Sequence, residues 1–294
     1  MPGASLAVRC VAEVIGTFIL VFFGCGAVHA AVLTGAHTGL WQVAIVWGVA
    51  VTVAIYVVGG ISGAHINPAI TVALAVWGKF APAQVLPYVA AQLLGAALAA
   101  GALYGLYEPY LAAREQERGV ERGRRGSEIT AMCYGEYFPS PGGVSTDASL
   151  KGEEAVEKAL RGLDSRVSVL GAFLAEVLGT ALLALVVFAL TDERNGAAPA
   201  ARLVPVFIGL TVAILISVLA PLTQACFNPA RDFGPRLVAW GAGWGEVALP
   251  GPRPGVFRVY LFAPIIGAVA GGGLYLRVLR PGLPEPAAQP KESL

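Results

Sequence analysis

Asparagine followed by proline and alanine occurs twice, at Asn67-Pro68-Ala69 and Asn228-Pro229-Ala230, and each copy follows a long apolar segment and opens a shorter one. Asn is a preferred N-cap, and Pro at the first helical position gives up an amide hydrogen that a helix start leaves unbonded anyway. Each tripeptide therefore predicts a helix start. Inside a bilayer such a start carries free backbone N–H groups and the positive end of a helix dipole. Two of them meeting at mid-membrane would set two carboxamides and two positive dipole ends on one axis. That arrangement receives a neutral hydrogen-bonding solute and opposes cations and protons. The plain alternative is a pair of chance N-caps in a chain with 20 prolines. Ordinary residue usage gives the tripeptide in roughly one chain of this length in twenty, so two copies at matched places exceed chance.

The elements that must position these groups are membrane helices. The chain is 56% hydrophobic and 13% charged, with a mean hydropathy of +0.69, against about 25% charge in a soluble domain. A net charge of +1 gives no argument for nucleic acid. Cys10, Cys25, Cys133 and Cys226 form neither a metal-ligand pair nor a disulfide framework, and only Cys133 falls in a segment read as aqueous. No metal or other cofactor is indicated. Apolar runs long enough to cross about 30 Å of hydrocarbon fall at 6–33, 41–61, 83–106, 169–190, 203–219 and 259–279. The stretches 67–77 and 228–240 are too short to cross and read as re-entrant half-helices, preceded by irregular backbone at 59–66 and 220–227. Non-helical backbone at membrane depth is tolerated only where protein buries it or a water-filled path runs along it. These stretches are therefore expected to present carbonyls to solute, namely those of Gly63, Ala64 and His65 and of Gln224, Cys226 and Phe227. The first span does not read as a cleaved leader, being too long and holding Glu13.

An internal repeat orders the spans. Ala12-Glu13-Val14-Ile15-Gly16-Thr17 returns as Ala175-Glu176-Val177-Leu178-Gly179-Thr180 at an offset of 163, and the two Asn are offset by 161. Each half holds three spans with its half-helix between the second and third. Three is odd, so the second half enters the membrane inverted, and such repeats meet at the midplane. The fold class is an all-α membrane protein with six transmembrane helices and two re-entrant half-helices. Its parts are a first half at 1–106, a long polar connection at 107–168, a second half at 169–280 and a disordered tail at 281–294.

These residues resemble the major intrinsic proteins, the aquaporins and glycerol facilitators, over nearly the whole chain from Glu13 to about Leu279. The stretch from Gly60 to Ala69 is similar to the family's first pore loop and that from Asn228 to Arg236 to its second, with Asp232 as in the glycerol-conducting branch. Thr191 to Gly196 is also similar to bacterial glycerol facilitators. The resemblance implies a passive channel for glycerol, water and other small uncharged solutes in the lipid bilayer, assembled as a homotetramer with one pore per subunit.

Charged groups at membrane depth are functional by default. Arg231 lies one helical turn beyond Asn228, where it can offer donors to a solute hydroxyl and repel cations; the alternative is an Arg that satisfies loop carbonyls. Glu13 and Glu176, at matched positions, are read as braces that accept amides of the pore loops, with a proton relay as the alternative. His65 is read as offering its carbonyl to solute while its ring braces the loop, with a titrating gate as the alternative, and His29 and His37 as ordinary residues near an aqueous face.

The resemblance places the narrowest constriction at Trp47, Ile216, Ala225 and Arg231. Trp47 and Arg231 are as in glycerol facilitators; Ile216 and Ala225 stand where facilitators carry Gly and Phe, so the large and small residues have exchanged walls. The set is similar to the filter of the plant nodulin-26-like proteins. A water-selective pore would place His at 216. The exchanged walls leave urea, ammonia, undissociated lactic acid and metalloid hydroxides open as solutes. Another reading of Trp47 is an interfacial aromatic.

The Gly-x-x-x-Gly pair Gly267 and Gly271, and Gly95 with Ala99, predict close helix contacts. The connection 107–168 is longer than the family's usual; Cys133 to Pro139 is similar to a vestibule-lining stretch, leaving extra length around 114–125 and 150–161. It reads as a tetramer-contacting or vestibule-capping element, or as a tolerated insertion. Arg9, Arg277, Arg280 and Lys291 place both termini in the cytoplasm, with the connection outside it, in a cell membrane. A coupled secondary transporter would need carboxylates along the path, and only Glu13 and Glu176 lie in spans. A membrane enzyme is not supported, since no His-Glu-x-x-His, Gly-x-Ser-x-Gly or phosphate-loop pattern is present.

Overall fold

The computed structural model describes residues 4–284, and they are helical almost throughout. In order they form α1 (Leu6–His29), α2 (Leu40–Ser62), α3 (Pro68–Val76), α4 (Val85–Arg118), α5 (Glu128–Ala131), α6 (Gly142–Thr146), α7 (Glu153–Asp164), α8 (Val169–Leu190), α9 (Val204–Thr223), α10 (Pro229–Ala239) and α11 (Ala263–Leu274). Wider turns extend α1 to Thr34 and carry α11 from Arg258 to Leu279. Six of these segments are long and apolar enough to span a membrane: Leu6–Thr34, Leu40–Ser62, Pro82–Arg118, Val169–Leu190, Val204–Thr223 and Arg258–Gly282.

The inverted repeat is visible in the packing. α1 packs on α4 as α8 packs on α11, and α2 and α9 cross each other between the halves. Each half-helix lodges in the opposite half, α3 against α11 and α10 against α4. Small residues permit the contacts. A Cβ on Gly95 would sit 2.3 Å from the Val14 carbonyl oxygen, and one on Gly267 would sit 2.3 Å from that of Val177, so the same crossing is built twice. At the α2–α9 crossing the same constraint joins Gly48 and Gly209. Backbones so close gain dispersion and lose little side-chain entropy, which is how membrane helices associate.

Several boundaries differ from the sequence reading. The helices α2 and α9 persist to Ser62 and Thr223, so the irregular backbone starts at Gly63 and Gln224 rather than at 59 and 220. The third span does not stop at Leu106; α4 runs on through Pro109 to Arg118. Its last turns are held from outside: Arg118 donates to the carbonyls of Ser145, Leu150 and Asp147, and Arg114 to those of Ser145 and Leu33. The connection is thus built on a helical mast. It has a small core of its own, in which Val156 and Leu160 of α7 meet Val120, Ile129 and Val144; each such buried side chain contributes about 1.5–3 kcal/mol. His29 and Cys133, expected near water, are both fully buried, His29 between Tyr107 and Tyr134 and Cys133 in a cluster with Val28, Ala131 and Trp244. The expected disordered tail falls mostly outside the described residues. Of its first four residues, Pro281 and Gly282 belong to a tight helical turn, and the Leu283 and Pro284 carbonyls accept from Arg194.

Candidate functional site

Asn67 and Asn228 are the N-caps of α3 and α10, each side-chain oxygen accepting an amide of its own first turn, Ala69 at 2.8 Å and Ala230 at 3.1 Å. Their amide nitrogens cross over. Asn67 Nδ2 donates to the Phe227 carbonyl at 2.9 Å and Asn228 Nδ2 to the Ile66 carbonyl at 2.8 Å. The two half-helices are therefore joined start to start, and each carboxamide keeps one further N–H. Pro68, Ala69, Pro229 and Ala230 are buried inside these first turns. The Phe227 carbonyl, expected to face solute, accepts from Asn67, and Phe227 also lines the cavity described below.

The loops ahead of the caps are strained in matching places. Ala64 and Ile66 have φ of 48° and 43°, and Gln224, Ala225 and Phe227 have φ of 59°, 62° and 51°. Left-handed backbone at non-glycine residues costs about 1–3 kcal/mol each and persists only where the surroundings impose it. Here two buried carboxylates impose it. Glu13 accepts the amides of His65 at 2.9 Å and Ile66 at 2.7 Å; Glu176 accepts those of Cys226 at 3.0 Å and Phe227 at 2.9 Å. Ser62 and Thr223 hydroxyls donate to the same carboxylates, both at 2.6 Å, and Tyr88 and Tyr260 hydroxyls bond the carbonyls of those two residues. With its amides drawn outward, each loop is left to face its carbonyls the other way. The His65 ring rests between Phe80 and Tyr88, with Nδ1 3.3 Å from the Thr71 hydroxyl.

One cavity of about 240 Å³ is lined by both Asn, by Gly63, Ala64 and His65, and by Gln224, Ala225 and Cys226. Much of the remaining lining is apolar, with Leu20, Val51, Ile55, Leu183, Ile208 and Val212. Trp47, Ile216 and Arg231 line it too, and they also line a wider vestibule of about 990 Å³ under the cap, which includes Ala159 and Leu163 of α7. Trp47, Ile216 and Arg231 thus border both spaces, and with Ala225 of the inner cavity they are each at most 6% exposed. The Arg231 guanidinium stacks 4.4 Å over the Trp47 ring. Gly24 makes room for that ring, since a Cβ there would lie 2.2 Å from it.

Sequence reasoning missed the partners of Arg231. Its Nη1 donates to the Tyr134 carbonyl at 3.0 Å and its Nη2 pairs with Glu136, a carboxylate 1% exposed. The loop that carries both is clamped to α10: the Glu136 amide donates to Asp232 Oδ1 at 2.6 Å, and Arg236, bound to Asp232 Oδ2 at 2.7 Å, donates to the Glu136 carbonyl. Gly135 is needed because the chain passes over the Arg236 side chain. Gln224 adds a second tie, its amide accepting from Tyr137 N at 2.9 Å and donating to the Met132 carbonyl at 3.3 Å. The one available signal was a lone carboxylate inside the otherwise uncharged stretch 133–139.

A family model described as Major intrinsic protein matches residues 3–275. The chain is a major intrinsic protein. It is 41% identical over 288 residues to the glycerol uptake facilitator protein of Pseudomonas aeruginosa, covering 98% of this chain and 94% of the relative. It is 40% identical over 281 residues to a propanediol uptake facilitator of Citrobacter freundii, covering 95% of each. The X-ray structure of the aquaglyceroporin from Plasmodium falciparum superposes with a TM-score of 0.76 at 26% identity, over 94% of this chain and 98% of that one. As a major intrinsic protein with six apolar spans, it is a multi-pass membrane protein.

Proposed function

We propose that this major intrinsic protein is a passive pore for glycerol and similar small uncharged solutes, with water, and that it excludes ions and protons. The observation that carries the reading is one cavity lined by both Asn and the pore-loop residues and, for the rest, mostly by aliphatic side chains. A polyol can set its hydroxyls against the polar part of this lining and its carbons against the aliphatic part, where burial of apolar area gains roughly 25 cal/mol per Å². The helix starts at Asn67 and Asn228 and the Arg231 guanidinium oppose cations. The names of the relatives, glycerol and propanediol uptake facilitators, support a polyol among the solutes.

In this reading Trp47, Ile216, Ala225 and Arg231 form the selectivity filter. Glu13 and Glu176 are braces rather than coupling groups, since each accepts at least three donors and has no need of a transported proton. That argues for a channel over a coupled transporter and, with the family, over an enzyme. The pore works as a homotetramer with both termini cytoplasmic in the cell membrane, the cap of 119–168 forming the outer vestibule. Stopped-flow light scattering of proteoliposomes tests it with water, glycerol, urea and lactic acid, for the natural chain and Arg231→Val. Glycerol flux that does not saturate is expected; water or lactic acid flux with glycerol excluded would reject the polyol assignment in favour of the narrower solutes.

A further inference from the structure

The vestibule of about 990 Å³ runs from a buried floor to an exposed rim. Trp47, Ile216 and Arg231 form its buried end, whereas Gly39, Gly143, Thr146, Gly162, Arg166 and Leu222 line it and are exposed, which marks where it opens. The cap therefore supplies much of the mouth, Gly143 and Thr146 from α6 and Gly162 from α7. α7 turns one face to this space, with Ala159, Gly162 and Leu163 at helical spacing. That face is fixed in position: Val156 and Leu160 are buried in the core of the cap, and Asp164 pairs with Arg125 at 2.9 Å and Arg253 at 3.6 Å.

Two of the rim glycines have no backbone or packing reason to be glycine. Within a helix glycine is less favourable than alanine, and it is expected where φ is positive or another group comes close. Gly24 and Gly135 are of the second kind, with Trp47 and Arg236 against them. Gly143 and Gly162 are of neither kind. Both lie inside helices with φ outside the left-handed region, and a Cβ at either would meet nothing within 4 Å. A side chain there would extend into the opening.

We propose that Gly143 and Gly162 hold the mouth of the vestibule open, so that α6 and α7 of the cap set the width of solute admitted ahead of the filter. The inference rests on the channel reading and adds to it a second, purely steric restriction. Water is narrower than a polyol, so a side chain at the mouth hinders glycerol more than water. The chemistry of Arg231 and Trp47, buried at the floor, is untouched by such a change.

Thiol labelling of the assembled protein tests this without asking a bulky variant to fold. Gly143→Cys and Gly162→Cys are treated in detergent with methyl or benzyl methanethiosulfonate, complete labelling is confirmed by mass, and water and glycerol permeabilities are measured in proteoliposomes. Glu154→Cys, exposed on α7 outside the vestibule lining, and the natural chain, whose Cys25, Cys133 and Cys226 are buried, report effects of the reagents elsewhere. The benzyl group at either position is expected to lower the glycerol-to-water permeability ratio about fivefold, and the methyl group to leave it within about twofold, because the width of a pore decides which solutes it passes. The controls are expected to keep the natural ratio. An unchanged ratio in a fully benzylated protein would overturn the proposal for that residue. Water falling as far as glycerol would overturn it too, since the label would then have damaged the pore rather than narrowed its mouth. Gly162→Ala is expected to keep both the flux and the thermal midpoint, and a lowered midpoint would show that α7 needs the glycine for its fold. A natural chain that passes neither solute above the empty-vesicle rate would instead refute the channel reading.

Discussion

The backbone amide of Glu136 donates to Asp232 Oδ1 at 2.6 Å, so a side chain of the second half-helix fixes the residue that pairs with Arg231 of that same helix. The Arg231 position is therefore set through a loop 96 residues away in sequence and back again. Among the described residues, Asp232 is also the only carboxylate bonded to Arg236, both being fully buried. Asp232→Ala leaves that guanidinium uncompensated, which costs about 3–5 kcal/mol for a buried pair. The expected outcome is a large drop in thermal midpoint in detergent, with solute flux reduced in any protein that reaches the vesicle. A midpoint within a degree of the natural chain would reject the clamp.

Glu176→Gln addresses the brace. The carboxylate accepts from Thr223 Oγ1 and from two backbone amides; a carboxamide can serve as acceptor on one atom only and sets an NH₂ against a donor. One lost charge-assisted bond and one opposed donor amount to about 2–4 kcal/mol. The left-handed residues Ala225 and Phe227 then relax, and flux of every solute, water included, is expected to fall together with the thermal midpoint. If Glu176 were instead a proton-coupling group, the substitution would abolish a pH-gradient dependence of uptake while leaving the fold stable.

Much of this architecture was legible because the bilayer and the repeat both constrain the sequence. Six apolar runs and two Asn-Pro-Ala starts leave few ways to satisfy the backbone in hydrocarbon. The inverted repeat allowed the hydrogen bonds of Glu13 and Glu176 to be read from their matched positions. What could not be read lies where the repeat has no counterpart. The extension of α4 to Arg118 is polar, so hydropathy ended the span at 106, and only the carbonyls it holds show why the helix continues. Glu136 was missed for a related reason, since the stretch 133–139 acquires its position only from Asp232, Arg236 and Gln224. His29 gave no sign of being enclosed between Tyr107 and Tyr134.

On the opposite face, Asp192 joins the loop after α8 to the end of the last span. It accepts from the Arg194 amide at 3.1 Å, Arg280 Nε at 2.6 Å and the Tyr275 hydroxyl at 3.1 Å. Burial alone would push its carboxyl up, but these donors together hold it below the usual carboxylate range. The sign follows: a carboxyl depressed in the folded state stabilises above its ordinary pKa of about 3.9, and that contribution is lost as pH falls through the folded value. Asp192→Asn is expected to lower the thermal midpoint at neutral pH by roughly 2–4 °C, about 1 kcal/mol for a partly exposed pair. The difference from the natural chain should shrink below about pH 4. A gap that stays constant down to pH 3 would show that the ion pair contributes nothing.

The exchanged walls of the constriction can be tested by exchanging them back. Ala225 and Ile216 are each 5% exposed and line the same cavity as Trp47 and Arg231. Ala225→Phe alone adds a ring to a space already narrowed from its other side by Ile216, and overpacking of this kind typically costs about 1–3 kcal/mol of strain or closes the space. Its glycerol flux is expected to fall to the empty-vesicle rate. Ile216→Gly alone opens the same point and is expected to raise urea and glycerol flux. The double variant restores the total side-chain volume with the ring on the other wall, and glycerol flux is expected to return to within a few-fold of the natural chain. Stopped-flow measurements on the three proteins decide whether the volumes act together. Equal losses in Ala225→Phe and in the double variant would mean that the ring blocks independently of Ile216, and that the two positions do not share one aperture.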